Sequence, residues 1–476
     1  MNQSIFNQKV KALHKFKILK TNDLDKFSDI ILNSDDWDLF RINPLKFSEE
    51  HKLDESSIID IFVHSVKVGL FDFSWNLICP KCGSIEHSYN NLNSLSKKDD
   101  FYCVSCDINI DINLDDQVEV SFNLNDSIKE LKLDPSEGVI NYGKYFYSNN
   151  YVHSDVARKF IYNLFRGLYS ILPDEKEIII LETEPNKTYR IISLQTHSQI
   201  FIHTDDLKSD VPQVIDIDLL STGFLPDHVN LSSGTIKMHV NNLTKDKMVL
   251  SALMVDFEGF RKMYQYNPHN ELPFMTGKML LNNQSFRELF RIQALSPDLR
   301  LNLKSLTIMF TDLKGSTEMY ESVGDYKAYN LVQRHFELLT DSVRKHSGAI
   351  VKTMGDAIMA TFSNPNDAVL SAIDMMKRVI EMNKDENLIG LKIGINEGNA
   401  LAVNADDRLD YFGQSVNVSA RVQGLAQSSE IWITDQVLKG DSVIESLEDS
   451  GYYYEKNSAL LKGVGKPVIV YRCKSE

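Results

Sequence analysis

The sequence predicts a multidomain α+β protein with four parts: a helical, winged-helix-like front, a four-cysteine ribbon, a β-rich middle and a C-terminal ferredoxin-like α/β domain. Three observations predict it. Apolar residues recur at helical spacing through Phe6, Val10, Leu13, Phe16 and Ile18. Strand-like runs such as QVEVSFNL, EIIILET and MVLSALMV crowd residues 110–260. Beyond Ser305, strands and helices alternate around a Gly355-Asp356 hairpin signal, a plan built on an antiparallel sheet.

Composition narrows the class. A chain of 476 residues is long enough for about two to four domains, each able to bury a core. With 43% hydrophobic and 25% charged residues it reads as ordinary globular protein. The net charge of -15 argues against nucleic-acid binding through bulk charge, which needs basic surface. No apolar run approaches the roughly 20 residues that span a bilayer; Asp60, His64, Lys67 and Asp72 interrupt the best one. The start, MNQSIFNQKVKALHKFK, has no apolar core or small-residue cleavage site, so a cytoplasmic location is expected.

In chain order, residues 1–75 read as helices, with RINPLKFSEEHKLDESSIIDIFVHSVKVGLFD giving two short ones before a strand. Helix, turn, helix and strand suit a winged-helix unit or an ordinary helical packing module. Residues 76–110 hold two CxxC pairs, Cys79/Cys82 and Cys103/Cys106, 20 residues apart. Two such knuckles complete a tetrahedral Cys₄ site for a structural zinc ion, whereas redox chemistry would need only one. Cys473 stands apart as an ordinary residue, and the histidines at 197, 203, 228 and 239 follow no metal-ligand spacing. Residues 111–280 are expected to form a β-rich regulatory domain with a β-sandwich-like part, with a helix over Ser154–Leu172 and FLPDHVNLSSGTIKMHVNN read as paired strands about a Ser-Gly turn. A helical linker covers 281–304, including a helix over Asn283–Gln293, and the last domain runs from 305 to 476.

Chemistry concentrates in that last domain. FTDLKGST (310–317) ends an apolar strand on Asp312 and opens into a helix N-terminus, which suits a phosphate, a metal or a plain turn. Asp356 sits at the hairpin tip in VKTMGDAIMATF. If the two strands are neighbours, these carboxylates meet at one sheet end, ready to share two hard divalent ions. In DYFGQSVNVSAR, Asn417 and Arg421 lie one helical turn apart on one face.

FTDLKGST, VKTMGDAIMA and LDYFGQSVNVSAR together resemble the class III nucleotidyl cyclases, over residues 303–474 and including the closing LKGVGKPVIVYRC. The front resembles the domain of unknown function that precedes such cyclase domains in some bacterial proteins, through its RINP helices, CPxCG…CxxCD ribbon and FLPDHVNLSSG segment. The resemblance implies that Asp312 and Asp356 bind two Mg²⁺ or Mn²⁺ ions, with the Leu313 carbonyl as a further ligand. It implies that amides of Gly315, Ser316 and Thr317 cradle phosphate, that Asn417 orients the ribose, and that Arg421 stabilises charge on the α-phosphoryl group. Adenine offers an acceptor at N1 and a donor at N6; a lysine donates and a carboxylate accepts, so Lys352 with Asp410 fits ATP. The family builds its site between two catalytic domains, which implies a homodimer with metal ligands from one chain and Lys352, Asp410, Asn417 and Arg421 from the other. One departure stands out: Val464 in Lys462-Gly463-Val464-Gly465-Lys466 occupies the place of a lysine that contacts outer phosphates. The expected activity is adenylate cyclase. The alternatives are a guanylate cyclase, or a zinc-ribbon and winged-helix nucleic-acid regulator with an inactive cyclase domain.

Overall fold

The computed structural model describes residues 1–91, 100–266, 270–290, 300–314, 321, 324–382, 390–405 and 408–475. Helices α1 (Gln3–Leu13), α2 (Thr21–Asn33), α3 (Pro44–His51) and α4 (Glu55–Val68) open the chain. Local chemistry sets their ends. Asn2, Asn43 and Asp54 accept hydrogen bonds from first-turn amides, Pro44 fills the first helical position, and Gly69 (φ 74°) terminates α4. The helices pack on β1 (Phe71–Ile78), the middle strand between β2 (Ile85–Tyr89) and β5 (Val118–Leu124). A second hairpin, β3 (Asp100–Cys103) and β4 (Ile108–Asp111), lies alongside in sequence. Rings from helix and sheet interlock at the centre: Phe62 lies 5.0 Å from Phe27 and 4.8 Å from Phe122. Asn76 survives in the middle of β1 because its amide donates to Glu119 (3.2 Å) and Ser121 (2.9 Å). The strand after α4 thus runs on past residue 75 into the first cysteine knuckle.

The middle begins with α5 (Val139–Phe146), β6 (Tyr151–Val152) and α6 (Asp155–Leu164). It continues through β7 (Phe165–Ile171), β8 (Lys176–Thr183), β9 (Thr188–Ser193), β10 (Ser198–Lys208), β11 (Gln213–Leu220), β12 (Gly223–Leu225), β13 (His228–Asn242) and β14 (Met248–Met254). The strand order is β12-β11-β13-β10-β9-β14-β7, with β8 beside β13. Two expectations are corrected here. The helix expected over Ser154–Leu172 stops at Leu164, because Phe165–Ile171 pairs antiparallel with β14. The expected Ser-Gly turn is absent: β13 runs straight through Ser233-Gly234 and changes partners there. Its first half pairs with β10 and its second with β8 and β11, so the strands enclose one apolar core. Gly234 permits the change, having φ 124° and a backbone so close that a Cβ would lie 2.7 Å from the Ser209 carbonyl.

After α7 (Phe257–Tyr266), β15 (Asn270–Glu271), α8 (Gly277–Leu281) and α9 (Gln284–Leu289), the last domain starts with β16 (Arg300–Lys314). The strand begins ahead of the expected domain start at 305, since Arg300–Leu303 also pairs. The helix expected over Asn283–Gln293 ends at Leu289, and residues 291–293 lie outside the described residues. Then come α10 (Asp325–Lys345), β17 (Ala349–Met354), β18 (Ala357–Phe362), α11 (Pro365–Met382), β19 (Gly390–Ala405), β20 (Arg408–Phe412) and α12 (Gln414–Gln423). The chain closes with β21 (Glu430–Thr434), α13 (Asp435–Leu438), α14 (Val443–Asp449), β22 (Tyr452–Ala459) and β23 (Val468–Ser475). The sheet order is β17-β18-β16-β19-β21-β23-β22, with β20 on β19.

Alternation along β16 divides the two faces. Met309 and Leu313 join Ile358, Phe362, Ile393 and the buried sides of α10 and α11. Ile308 and Phe310 turn the other way, into a core continuous with Trp75 and Phe286 of the front. His335 of α10 is fully buried with neither ring nitrogen paired among the described residues, and burial pushes its pKa down to about 4. The unfolded chain therefore takes that proton first, so the associated stability is complete above pH 6.5 and drains away as pH falls toward 4. His335→Leu should remove on the order of 2 kcal/mol of acid sensitivity between pH 7 and pH 5, read as a smaller drop in urea midpoint over that interval than in the unmodified chain.

Candidate active site

Asp312 lies two residues before the end of β16 and directly opposite Lys392 of β19, with which it forms an ion pair. β16 also pairs with β18, in a register that matches Phe310 to Met359. Two further steps bring Asp312 level with Ala357, the residue after Asp356. The two carboxylates thus share one end of the sheet. Gly355 (φ 64°) and Asp356 form the two-residue turn between β17 and β18, a II′-type turn with glycine in its first central place. The Asp356 Oδ2 atom is buried and has no hydrogen-bond partner among the described residues. An orphaned carboxylate oxygen beside a second carboxylate is what a divalent cation would satisfy. Leu313 pairs with Leu391 next along the strand. Gly315, Ser316 and Thr317 lie outside the described residues.

Lys352 of β17 and Asp410 of β20 meet, Nζ to Oδ2, at 2.5 Å. A register break between Ile350 and Lys352 re-aims the lysine, as bulges beside functional sites do. The other Asp410 oxygen accepts from the Tyr411 amide at 2.8 Å, which fixes the carboxylate plane. Asn417 and Arg421 stand on α12, both exposed and one turn apart. The helix is held by Ser419, which donates to the Ile308 carbonyl at 2.6 Å. Val464 packs toward Val422 and Val470 beside this helix, while Lys462 and Lys466 are exposed.

Sequence reasoning missed Lys392, whose only signal is its place opposite Asp312 once the strands are paired. It also missed β20 as a strand, although it named Asp410. Lys392 supplies positive charge to a sheet end that otherwise gathers two carboxylates.

The front's cysteines also converge. Cys79 and Cys106 sulfurs lie 3.9 Å apart, Cys82 and Cys103 3.7 Å apart, and all four lie within 4.8 Å of one another. No disulfide joins them. Four thiolates at about 2.3 Å from a tetrahedral zinc would be spaced by about 3.8 Å. Both knuckles use the same turn: Gly83 donates to the Cys79 carbonyl and Asp107 to the Cys103 carbonyl, each at 2.8 Å, with φ of 72° and 58°. Hydrogen bonds among the four sulfurs lower the pKa of Cys79 and Cys103 and raise that of Cys82 and Cys106, so the cluster shares its protons until a cation replaces them. The donor set fits a thiolate-bound metal.

Fold and site together define a nucleotidyl cyclase domain behind a larger front region. The family model described as "Adenylate and Guanylate cyclase catalytic domain" matches residues 301–472, and "Family of unknown function (DUF5939)" matches residues 8–288. The chain belongs to this DUF5939 family and carries a class III cyclase catalytic domain at its C-terminal end. It is 29% identical over 189 residues to an adenylate cyclase of Anabaena cylindrica, covering 36% of this chain and 37% of that one. The adenylyl cyclase CyaB from P. aeruginosa is similar at 23% identity and TM-score 0.33, over 37% of this chain and 96% of that one. The guanylyl cyclase Cya2 is similar at 23% identity and TM-score 0.32, over 37% and 93%. The chain spans little more than a third of the length of the Anabaena relative. No described helix is long and apolar enough to cross a membrane.

Proposed function

We propose that this chain is an adenylate cyclase, converting ATP to 3′,5′-cyclic AMP and pyrophosphate. The observation that carries the reading is the Lys352–Asp410 pair, which joins two strands at 2.5 Å and offers one donor and one acceptor side by side. Lys352 donates to adenine N1 and Asp410 accepts from N6; guanine would present the opposite pattern to both. Asp312 and Asp356, with the Leu313 carbonyl, would hold Mg²⁺ or Mn²⁺. Bound there, the ions would supply a lower pKa for the ribose 3′-hydroxyl and positive charge against the polyphosphate. Asn417 orients the ribose, so that the hydroxyl lies in line with the α-phosphorus. Arg421 places its guanidinium against the charge that builds on the α-phosphoryl oxygens as pyrophosphate leaves.

The functional unit is a homodimer in which each site takes its carboxylates from one copy and Lys352, Asp410, Asn417 and Arg421 from the other. Two inactive variants, Asp356→Ala and Arg421→Ala, should then restore one another. Mixed and re-equilibrated, they should recover about a quarter of the unmodified activity, because half the dimers carry one intact site of two. No recovery in a mixture that demonstrably exchanges subunits would sink the shared-site reading.

The four cysteines hold a structural zinc ion in the same account. Purified protein should contain one equivalent of zinc, and Cys103→Ser should lose it and lower the melting temperature of the front region by several degrees. Metal-free protein with an unchanged melt would contradict this assignment.

A further inference from the structure

Helix α9 belongs to the DUF5939 region, yet it grips both strands that carry the base-selecting pair. Within the described residues β17 and β20 each pair with one strand only, β18 and β19, so each leaves an edge open. The side chain of Gln284 fills the first edge, accepting from the Ile350 amide at 2.8 Å, two residues before Lys352 and at the register break that aims it. Arg287, one turn along α9, fills the second. Its Nη2 donates to the Leu409 carbonyl at 2.6 Å, immediately before Asp410, and its guanidinium lies 5.7 Å from the Tyr411 ring centroid, immediately after it. A third contact fixes the helix: Arg344 of α10 donates to both Glu288 carboxylate oxygens at 2.8 and 2.9 Å.

On its other side α9 is anchored in the front core. Phe286 and Phe290 pack on Phe73 at 5.7 and 5.2 Å, and α9 lies against α4. The six-residue helix is therefore a bracket between the front region and the strands bearing Lys352 and Asp410.

We infer that Gln284 and Arg287 are positioning residues for base recognition: they set the separation of Lys352 and Asp410 from outside the catalytic domain. The inference rests on the adenylate cyclase reading for the identity of the base but not for its geometry. A donor–acceptor pair reads a base edge only while its two strands stay in register, and shifts near 1 Å are enough to spoil it. Asp312 lies on β16, and Ser419 ties α12 to β16, so both keep their places without the bracket; Asp356, in the turn after β17, is held from its other side by β18.

The test uses the full chain and the variants Arg287→Ala, Gln284→Ala and Arg287→Lys. Steady-state kinetics with ATP and with GTP should show Arg287→Ala raising KM for ATP about tenfold and moving the ATP-to-GTP ratio of kcat/KM about tenfold toward unity, with kcat within about twofold. Gln284→Ala should move the same two quantities less, and Arg287→Lys, which keeps a donor for the Leu409 carbonyl, should recover most of the loss. Equal losses on ATP and GTP, or unchanged KM and ratio in a folded variant, would overturn the inference. Binding of unreactive ATP and GTP analogues separates it from the functional reading. A wild-type chain that favours GTP would refute the adenylate assignment, while variants that lose that preference would still uphold the bracket.

Discussion

Asp356→Ala should lower turnover by about a thousandfold, roughly 4 kcal/mol of transition-state stabilisation, while leaving the melting temperature unchanged. The asymmetry follows from what the side chain touches. Its buried Oδ2 has no partner among the described residues, so the loss of that oxygen breaks no hydrogen bond among them. Gly355 keeps the turn, and β17 and β18 remain paired from Met354 to Ala357. Asp312→Ala should be equally inactive but less neutral, because it strips Lys392 of its ion-pair partner at a half-buried position. Kinetics and thermal melts of both variants check the pair. An Asp356→Ala protein that melts normally and still turns over would remove the metal role from that residue.

Lys352→Glu with Asp410→Cys should reverse base preference, moving the ATP-to-GTP ratio of kcat/KM by about a hundredfold or more. A site built to pair with one edge of a base rejects the other because its own polar groups are then left unpaired, a larger effect than any gain in shape. Each single substitution should behave worse than the double one, since it leaves Lys352 or Asp410 without the partner it has at 2.5 Å. Competition between ATP and GTP at fixed total nucleotide reads the ratio directly. Unchanged preference in the double variant would assign base selection elsewhere.

The strands and turn that carry the candidate site were legible because their motifs are short and local. FTDLKGST announces a strand and a carboxylate, and VKTMGDAIMA a strand, a glycine turn and a carboxylate; the II′-type turn at Gly355-Asp356 is where the sequence expects it. What was hidden depends on partners distant in the chain. β20 is five residues long and, among the described residues, pairs only with β19, so Arg408–Phe412 carries too short a pattern to announce a strand. β22, YYYEKNSA, was missed for a related reason: it is an edge strand with mostly solvent-facing residues. The segment 165–171 misled in the other direction. Phe165, Leu168 and Ile171 continue the helical spacing of α6, and only pairing with β14 decides for a strand. Likewise Gly234 reads as a turn residue, yet its freedom is spent on letting β13 change partners at close quarters. Arg287 and Gln284 carried no signal at all, because their targets are backbone atoms 122 and 66 residues away.

The most direct test is to incubate the purified chain with equal ATP and GTP in the presence of Mn²⁺ and quantify both cyclic products. The account predicts cyclic AMP well in excess of cyclic GMP, and neither from Asp356→Ala. Absence of any cyclic nucleotide from the folded, dimeric chain, or an excess of cyclic GMP, would contradict it.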